Sequence, residues 1–229
     1  MKPGTILSEV QLNAALKSVL KEFSALGIWS PKVKTYHANV YLCNIPRINS
    51  VGFFMHDIGV KEYLLGYETG NIYIPSVVLD TVFWINCYTL RDVVRHEYAH
   101  AFAHYYRRLI MRSAELKKVF GGQYFSYNPS EMEDDSYLTS YAKSMPMEDF
   151  AETFMVYVRR KGVLPKKITN KKLILKWKFI AKIIKAIKKS SRTSLGSIEF
   201  KVPTKKAIVK KNFQMKSFFK KVVNLKSFN

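Results

Sequence analysis

The chain has 229 residues and a formal net charge of +21, from 38 Lys and Arg against 17 Asp and Glu. Residues 1–158 hold 15 of the basic and 16 of the acidic residues, so the excess positive charge belongs to residues 159–229. The sequence has no run of 18 apolar residues and no apolar stretch of the signal-peptide type behind Met1. It therefore predicts no transmembrane segment, and a chain that is cytoplasmic or exported without a cleaved signal peptide.

Length and charge together predict one main domain over residues 1–162, followed by a basic helical tail over 163–229. The first predicted element is a helix over 8–26, which begins with a capping box of Ser8 and Gln11 and stops at the following glycine. Its apolar residues recur with helical period, so we expect this helix to cover one side of a sheet.

The next segment is rich in β-branched and aromatic residues, which predicts a small, mostly antiparallel sheet. The predicted strands are 35–43, 51–56, 63–67 and 71–74, with residues 68–71 as a hairpin turn between the last two. Residues 71–75 have two interpretations. They form either an edge strand that pairs with an extended substrate, since Pro75 suits the end of a ladder, or one arm of a core hairpin.

A metal-binding motif, His96-Glu97-Tyr98-Ala99-His100, lies within a segment of helical period that runs from Leu90 to about Met111. Thr89 with Asp92 predicts a capping box at its start. On a helix, positions i and i+4 share one face, so both imidazoles can hold one Zn²⁺ while the glutamate addresses the water on the metal. This arrangement is typical of zinc hydrolases.

A catalytic zinc usually has three protein ligands, and the third must come from outside this motif. His104 is too far along the same helix, because about 12 Å of helix rise separates it from His96. The best source is a second predicted helix over 146–160, in which Glu148 and Glu152 share one face at i and i+4. Considered alone, these carboxylates could equally be an exposed acidic first turn that the helix dipole favours.

The order and spacing of three segments resemble the gluzincin metallopeptidases, in particular the catalytic domain of anthrax lethal factor and related bacterial zinc peptidases. The segments are His96 to Tyr106, Leu138-Thr139-Ser140-Tyr141, and Glu148-Asp149-Phe150-Ala151-Glu152-Thr153-Phe154. The resemblance in motif order covers roughly residues 30–160. It implies an α+β, zincin-like fold, in which a small sheet packs against the motif helix and a second helix that carries the glutamates.

The resemblance also implies a role for each site residue. His96, His100 and Glu148 would ligate Zn²⁺, and Glu97 would be the general base. Tyr141, seven residues before the third ligand, would donate a hydrogen bond to the developing oxyanion, although an ordinary packing role is the alternative for one tyrosine among fourteen. Glu152 would support a ligating histidine or the site water.

The basic tail contains an amphipathic helix over 170–189, followed by a linker over 190–206 and a second basic stretch. Such a tail could bind an anionic membrane surface or an acidic protein. Nucleic acid is the less favoured partner, because Trp177 and Phe179 suit an interface and no nucleic-acid motif is present. Alternatively, the apolar stripe of the helix covers the core and its lysines face water.

The sequence thus predicts a zinc-dependent endopeptidase that hydrolyses a protein or peptide. Two alternatives stay open: a zinc hydrolase of a non-peptide substrate, and a catalytically silent zincin scaffold that displays the basic tail to a membrane or partner. Intact Glu97 and Tyr141 argue against the silent scaffold, since a metal-binding scaffold would need neither.

Overall fold

A computed structural model describes residues 6–29, 38–43, 52–56, 70–76, 88–126 and 134–193, with side chains up to residue 189. These ranges form a mixed α and β structure of five α-helices and one three-stranded sheet. The helices are α1 (Glu9–Leu26), α2 (Leu90–Tyr105), α3 (Ala114–Phe120), α4 (Pro146–Arg159) and α5 (Lys171–Thr193); the strands are β1 (Val40–Cys43), β2 (Phe53–Phe54) and β3 (Ile72–Pro75). Short 3-10 turns lie at Asp134–Ser136 and Tyr141–Lys143.

The capping box of Ser8 and Gln11 begins α1, and Gly27 ends it with a left-handed φ of 72°. Both predicted boundaries are confirmed. The buried face of α1 lies mainly against α2 and α4, and not, as expected, mainly against the strands that the structure describes. The Phe23 ring contacts the edges of Tyr98 and Phe102 on α2, at centroid distances of 5.2 and 5.5 Å.

The sheet has the order β1-β3-β2, with β1 parallel and β2 antiparallel to β3. Among the described strands it is therefore mixed, with one parallel and one antiparallel pair, and the prediction of a mostly antiparallel sheet is not confirmed for them. The edge-strand interpretation of residues 71–75 is wrong, because β3 is the central strand. All four of its residues are buried, as expected for an apolar run that is covered on both faces. The predicted strand 63–67 and most of the hairpin turn lie outside the described residues.

The metal-binding motif lies on α2, which begins at the predicted capping box of Thr89 and Asp92. The helix ends at Tyr105 rather than near residue 111, since residues 106–112 continue as hydrogen-bonded turns. The second predicted helix is α4, with Pro146 in its first turn and left-handed residues at Lys161 and Gly162 after its end. The two helices pack side by side, and this contact positions the candidate site.

The described part of the basic tail is α5, which packs against α3 and α4. Asn170 caps its start by accepting hydrogen bonds from two backbone N–H groups. The alternative in which the apolar stripe covers the core is therefore the observed one. The buried apolar residues of α5 are Leu173, Trp177, Phe179, Ile180, Ile183, Ile184 and Ile187. The domain boundary at residue 162 stays a prediction, and the predicted linker and second basic stretch lie largely or wholly outside the described residues.

Within the described ranges, no helix combines the length and the apolar character needed to cross a membrane.

Candidate metal centre

Three buried side chains from two helices converge on one point. His96 and His100 come from successive turns of α2, and Glu148 comes from the first turn of α4. The two Nε2 atoms are 3.1 Å apart, and the Glu148 Oε2 atom lies 3.0 Å from the His96 Nε2 and 3.4 Å from the His100 Nε2. The sequence-predicted ligand set is thus brought together.

The spacing of these three atoms fits a tetrahedral metal ion. Bonds of 2.0–2.1 Å from a metal to nitrogen or oxygen ligands place neighbouring ligand atoms about 3.3 Å apart. The three observed separations, 3.0 to 3.4 Å, lie close to that value. The His96, His100 and Glu148 group could therefore hold a metal ion.

The hydrogen bonds at the far side of each ring make the group more suitable for a cation. The His96 Nδ1 lies 2.6 Å from the Glu152 Oε1, so this nitrogen carries the proton that the carboxylate accepts. The His100 Nδ1 lies 3.0 Å from the Tyr124 hydroxyl oxygen, which can accept in the same way. In these tautomers both Nε2 lone pairs face the Glu148 carboxylate. Three converging acceptors could be bridged by a cation.

The electrostatics of the group favour positive charge near Glu148. Burial opposes the charged form of His96, yet hydrogen bonds to Glu148 and Glu152 hold its pKa well above the usual value. Burial likewise opposes ionisation of Glu148, but the charges and hydrogen bonds of His100 and His96 lower its pKa below the ordinary range. The site thus favours an ionised Glu148 next to a cation.

Glu152 lies fully buried behind His96, and a tyrosine supports it. The Tyr88 hydroxyl donates a hydrogen bond to the Glu152 Oε2, while the Oε1 accepts from the His96 ring. Burial, followed by the charge and hydrogen bond of Glu152, raises the pKa of Tyr88, so its hydroxyl stays protonated and remains a donor. The structure therefore places Glu152 behind the candidate ligands rather than among them.

Sequence reasoning missed Tyr88 and Tyr124. Each supports one histidine, Tyr88 through Glu152 and Tyr124 directly. Neither stands at an informative spacing from the motif, and the chain contains fourteen tyrosines. Only the fold identifies these two.

Glu97 lies beside His96 with its carboxylate buried against the sheet. The Phe54 backbone on β2 hydrogen-bonds to this carboxylate. Gly52 permits the close approach, since a Cβ there would come within 3.0 Å of the Glu97 Oε1. The Oε2 is buried and makes no hydrogen bond to the described residues. Burial raises the pKa of Glu97, which makes this carboxylate a better proton acceptor.

Tyr141 lies at the mouth of the same group. Its ring centroid is 5.8 Å from that of His96, and its hydroxyl hydrogen-bonds to Glu148. Burial and the negative charges of Glu148 and Glu97 raise the pKa of Tyr141, so the hydroxyl stays a donor. With 37 % of its surface exposed, Tyr141 is accessible to a ligand from solvent.

His104 lies one turn beyond the group and is not part of it, as the helix geometry predicts. Its ring packs near Phe54 and His56, and its Nε2 lies 3.1 Å from an Arg107 guanidinium nitrogen.

No protein-family model, no curated protein and no solved structure matches this chain. The gluzincin resemblance is consequently confined to the motifs, and the geometry of the site is the remaining guide to function.

Proposed function

We propose that this protein is a zinc-dependent endopeptidase with a zincin-like arrangement of α2, α4 and the sheet. One observation carries the proposal: three metal-capable atoms converge at tetrahedral spacing, and the buried Oε2 of Glu97 next to them lacks a hydrogen-bond partner among the described residues. A purely structural metal site would not need a carboxylate without a partner at its side.

The donor set favours a transition metal such as zinc over Mg²⁺ and Ca²⁺. Mg²⁺ and Ca²⁺ prefer oxygen ligands, whereas two imidazole nitrogens and one carboxylate suit Zn²⁺. Structural zinc sites usually have four protein ligands, often cysteines, while catalytic sites have three and an open position. His96, His100 and Glu148 would be the three ligands.

A Zn²⁺ held by His96, His100 and Glu148 would supply a water whose pKa is lowered to about 7 and would polarise the scissile carbonyl. Glu97 accepts a proton from the attacking water through its Oε2 and then delivers it to the leaving amine. Tyr141 donates a hydrogen bond to the carbonyl oxygen as negative charge develops there. Glu152 and Tyr124 keep the two histidines in the tautomers that direct their Nε2 atoms to the ion.

Protein or peptide as the substrate follows from the gluzincin resemblance, and a zinc hydrolase of another bond remains the alternative. Cleavage profiling with an unbiased peptide library separates the two, because only a peptidase yields cut peptides. Elemental analysis of the purified protein should find one zinc per chain.

Glu97→Gln tests the chemistry, because the amide cannot accept the proton while the metal ligands stay unchanged. We expect this variant to retain zinc and to lose roughly 10²–10⁴-fold in turnover. Glu115→Gln, at a partly exposed glutamate on α3, is the matched control and should cleave like the unmodified protein. Full cleavage by Glu97→Gln would refute the proposed mechanism, and a biological effect of the protein that survives this substitution in full would favour the silent scaffold.

A further inference from the structure

One face of α5 is a straight row of exposed residues, five of the six being lysines. Positions separated by alternating intervals of four and three residues all lie on this face, which we call the lysine stripe. Its members are Lys171, Leu175, Lys178, Lys182, Lys185 and Lys189. At 1.5 Å of rise per residue, the stripe is about 27 Å long. Lys182 also pairs with Glu115, and no acidic residue lies between residues 153 and 198.

The opposite face of α5 packs against the core. Trp177 and Phe179 are buried, and the Trp177 indole N–H donates to the Gly162 carbonyl at 3.1 Å. An amphipathic helix that binds a bilayer normally inserts such residues among the lipids. Here they are not accessible, so any partner of α5 meets lysines and the half-exposed Leu175 (51 %).

The composition of the stripe distinguishes among anionic partners. Its cations are all lysines, and it presents no arginine, amide or hydroxyl side chain to read a base edge and no aromatic ring to stack on a base. Lysine is also depleted at the centres of protein interfaces. An extended, planar anionic surface does not require directional hydrogen bonds for its recognition. The straight row of lysines can contact such a surface along its whole length.

We propose that the lysine stripe binds the surface of a membrane rich in anionic lipids, with α5 lying flat and its apolar face retained in the core. The attraction is electrostatic and peripheral. Since each lysine at such a surface contributes about a fivefold increase in affinity, the stripe is sufficient for reversible binding.

Vesicle co-sedimentation of the full chain tests this, with neutral phosphatidylcholine vesicles compared with vesicles that contain about one third phosphatidylserine. We expect binding only to the anionic vesicles, with loss as salt is raised, because exposed charges are screened over about 10 Å at 0.1 M. In a chain with Trp29 and Trp84 replaced by Phe, the Trp177 fluorescence should not shift to the blue on binding. Binding to neutral vesicles, or a blue shift that resists salt, would overturn the peripheral mode.

A matched pair of double variants separates the stripe from net charge. Lys185→Gln with Lys189→Gln removes two stripe lysines at i and i+4, and Lys17→Gln with Lys21→Gln removes two exposed lysines at the same spacing on α1. We expect a loss of about 25-fold for the first variant and less than about threefold for the second. Equal losses would show that binding follows total charge, and the stripe would then have no special role.

Arginine at positions 185 and 189 keeps the charge, so this variant should bind like the unmodified protein. Such a result would show that the glutamine variant binds weakly because of its lost charge and not because of a folding defect. Duplex DNA and polyglutamate are used as competitors at equal charge concentration. Preferential binding to DNA would identify nucleic acid as the partner, and preferential binding to polyglutamate would identify an acidic protein. Either result would refute the proposal.

Discussion

The hydrogen-bond partners of the Nδ1 atoms of the two histidines determine whether the Nε2 atoms carry a proton or a free lone pair. Glu152 and Tyr124 occupy the Nδ1 positions, so a neutral imidazole on either residue can direct its Nε2 lone pair toward Glu148. Glu148 and Glu152 stand one helical turn apart on α4, yet they contact opposite edges of the His96 ring. Identical side chains thus have different expected roles.

The first residue-scale prediction compares these two glutamates. Glu148→Gln removes a negative charge from the candidate metal position, whereas Glu152→Gln only weakens the orientation of one ring. We expect Glu152→Gln to weaken zinc affinity by about 10–100-fold and Glu148→Gln to weaken it further. Competition with a chromophoric chelator measures both. If Glu152→Gln abolishes metal binding and Glu148→Gln does not, the ligand assignment is wrong.

Tyr141 gives the second prediction at this scale. Tyr141→Phe keeps the ring beside His96 and removes only the hydroxyl with its hydrogen bond to Glu148, so the variant should still retain zinc and lose no more than about 1 kcal/mol of stability. Turnover should fall by about 10²-fold with little change in KM, because the hydrogen bond would form in the transition state. Unchanged turnover would assign Tyr141 to packing.

At the scale of elements, the start of α2 connects helix stability to the site. The Thr89 hydroxyl accepts from the Asp92 backbone N–H at 3.2 Å, and the Asp92 carboxylate accepts from the Thr89 backbone N–H at 3.0 Å. Tyr88, which supports Glu152, immediately precedes this cap. The cap therefore fixes both the first turn of α2 and the tyrosine behind the candidate ligands.

Thr89→Ala tests this element. The loss of the side-chain cap should lower the free energy of unfolding by about 1 kcal/mol. Thr89→Ser keeps the accepting oxygen and is the control. Urea unfolding followed by circular dichroism measures the difference, which should appear as a lower midpoint with an unchanged slope. A midpoint equal to that of Thr89→Ser would show that the cap is not stabilising.

At the scale of the whole molecule, α5 completes the core despite its basic composition. The Lys176 side chain is fully buried, and its Nζ lies 2.6 Å from the Asp149 carboxylate and 2.5 Å from the Ser136 carbonyl oxygen. Asp149 directly follows Glu148 on α4. One lysine of the tail thus neutralises a buried charge beside the candidate metal centre.

Truncation gives the whole-molecule prediction. A chain that ends at Gly162 loses seven buried apolar side chains, each worth roughly 1.5–3 kcal/mol, and leaves Asp149 buried without its cation. Breaking a buried pair alone costs about 3–5 kcal/mol. We expect this chain to be insoluble or unable to bind zinc, whereas a chain that ends at residue 193 should fold and bind. A folded, zinc-loaded 1–162 fragment would show that α5 is an appendage.

The sequence by itself determined the local features of this protein. The capping boxes at Ser8 and Thr89, Pro146 in the first turn of α4 and the i, i+4 histidines were predictable, because each depends on residues within one or two helical turns. The residues alone indicated the helix with Glu148 and Glu152 as the best source of a third ligand, and the gluzincin resemblance selected Glu148.

Tertiary structure alone decided which elements cover one another. Apolar periodicity shows that β3, α1 and α5 each bury a face, but it does not identify the partner, so the central position of β3 and the packing of α1 on helices were not predictable. The hydrogen bonds of Tyr88, Tyr124 and Lys176 join residues 24 to 64 positions apart. No local pattern encodes contacts at such separations, because they form only when the helices pack together.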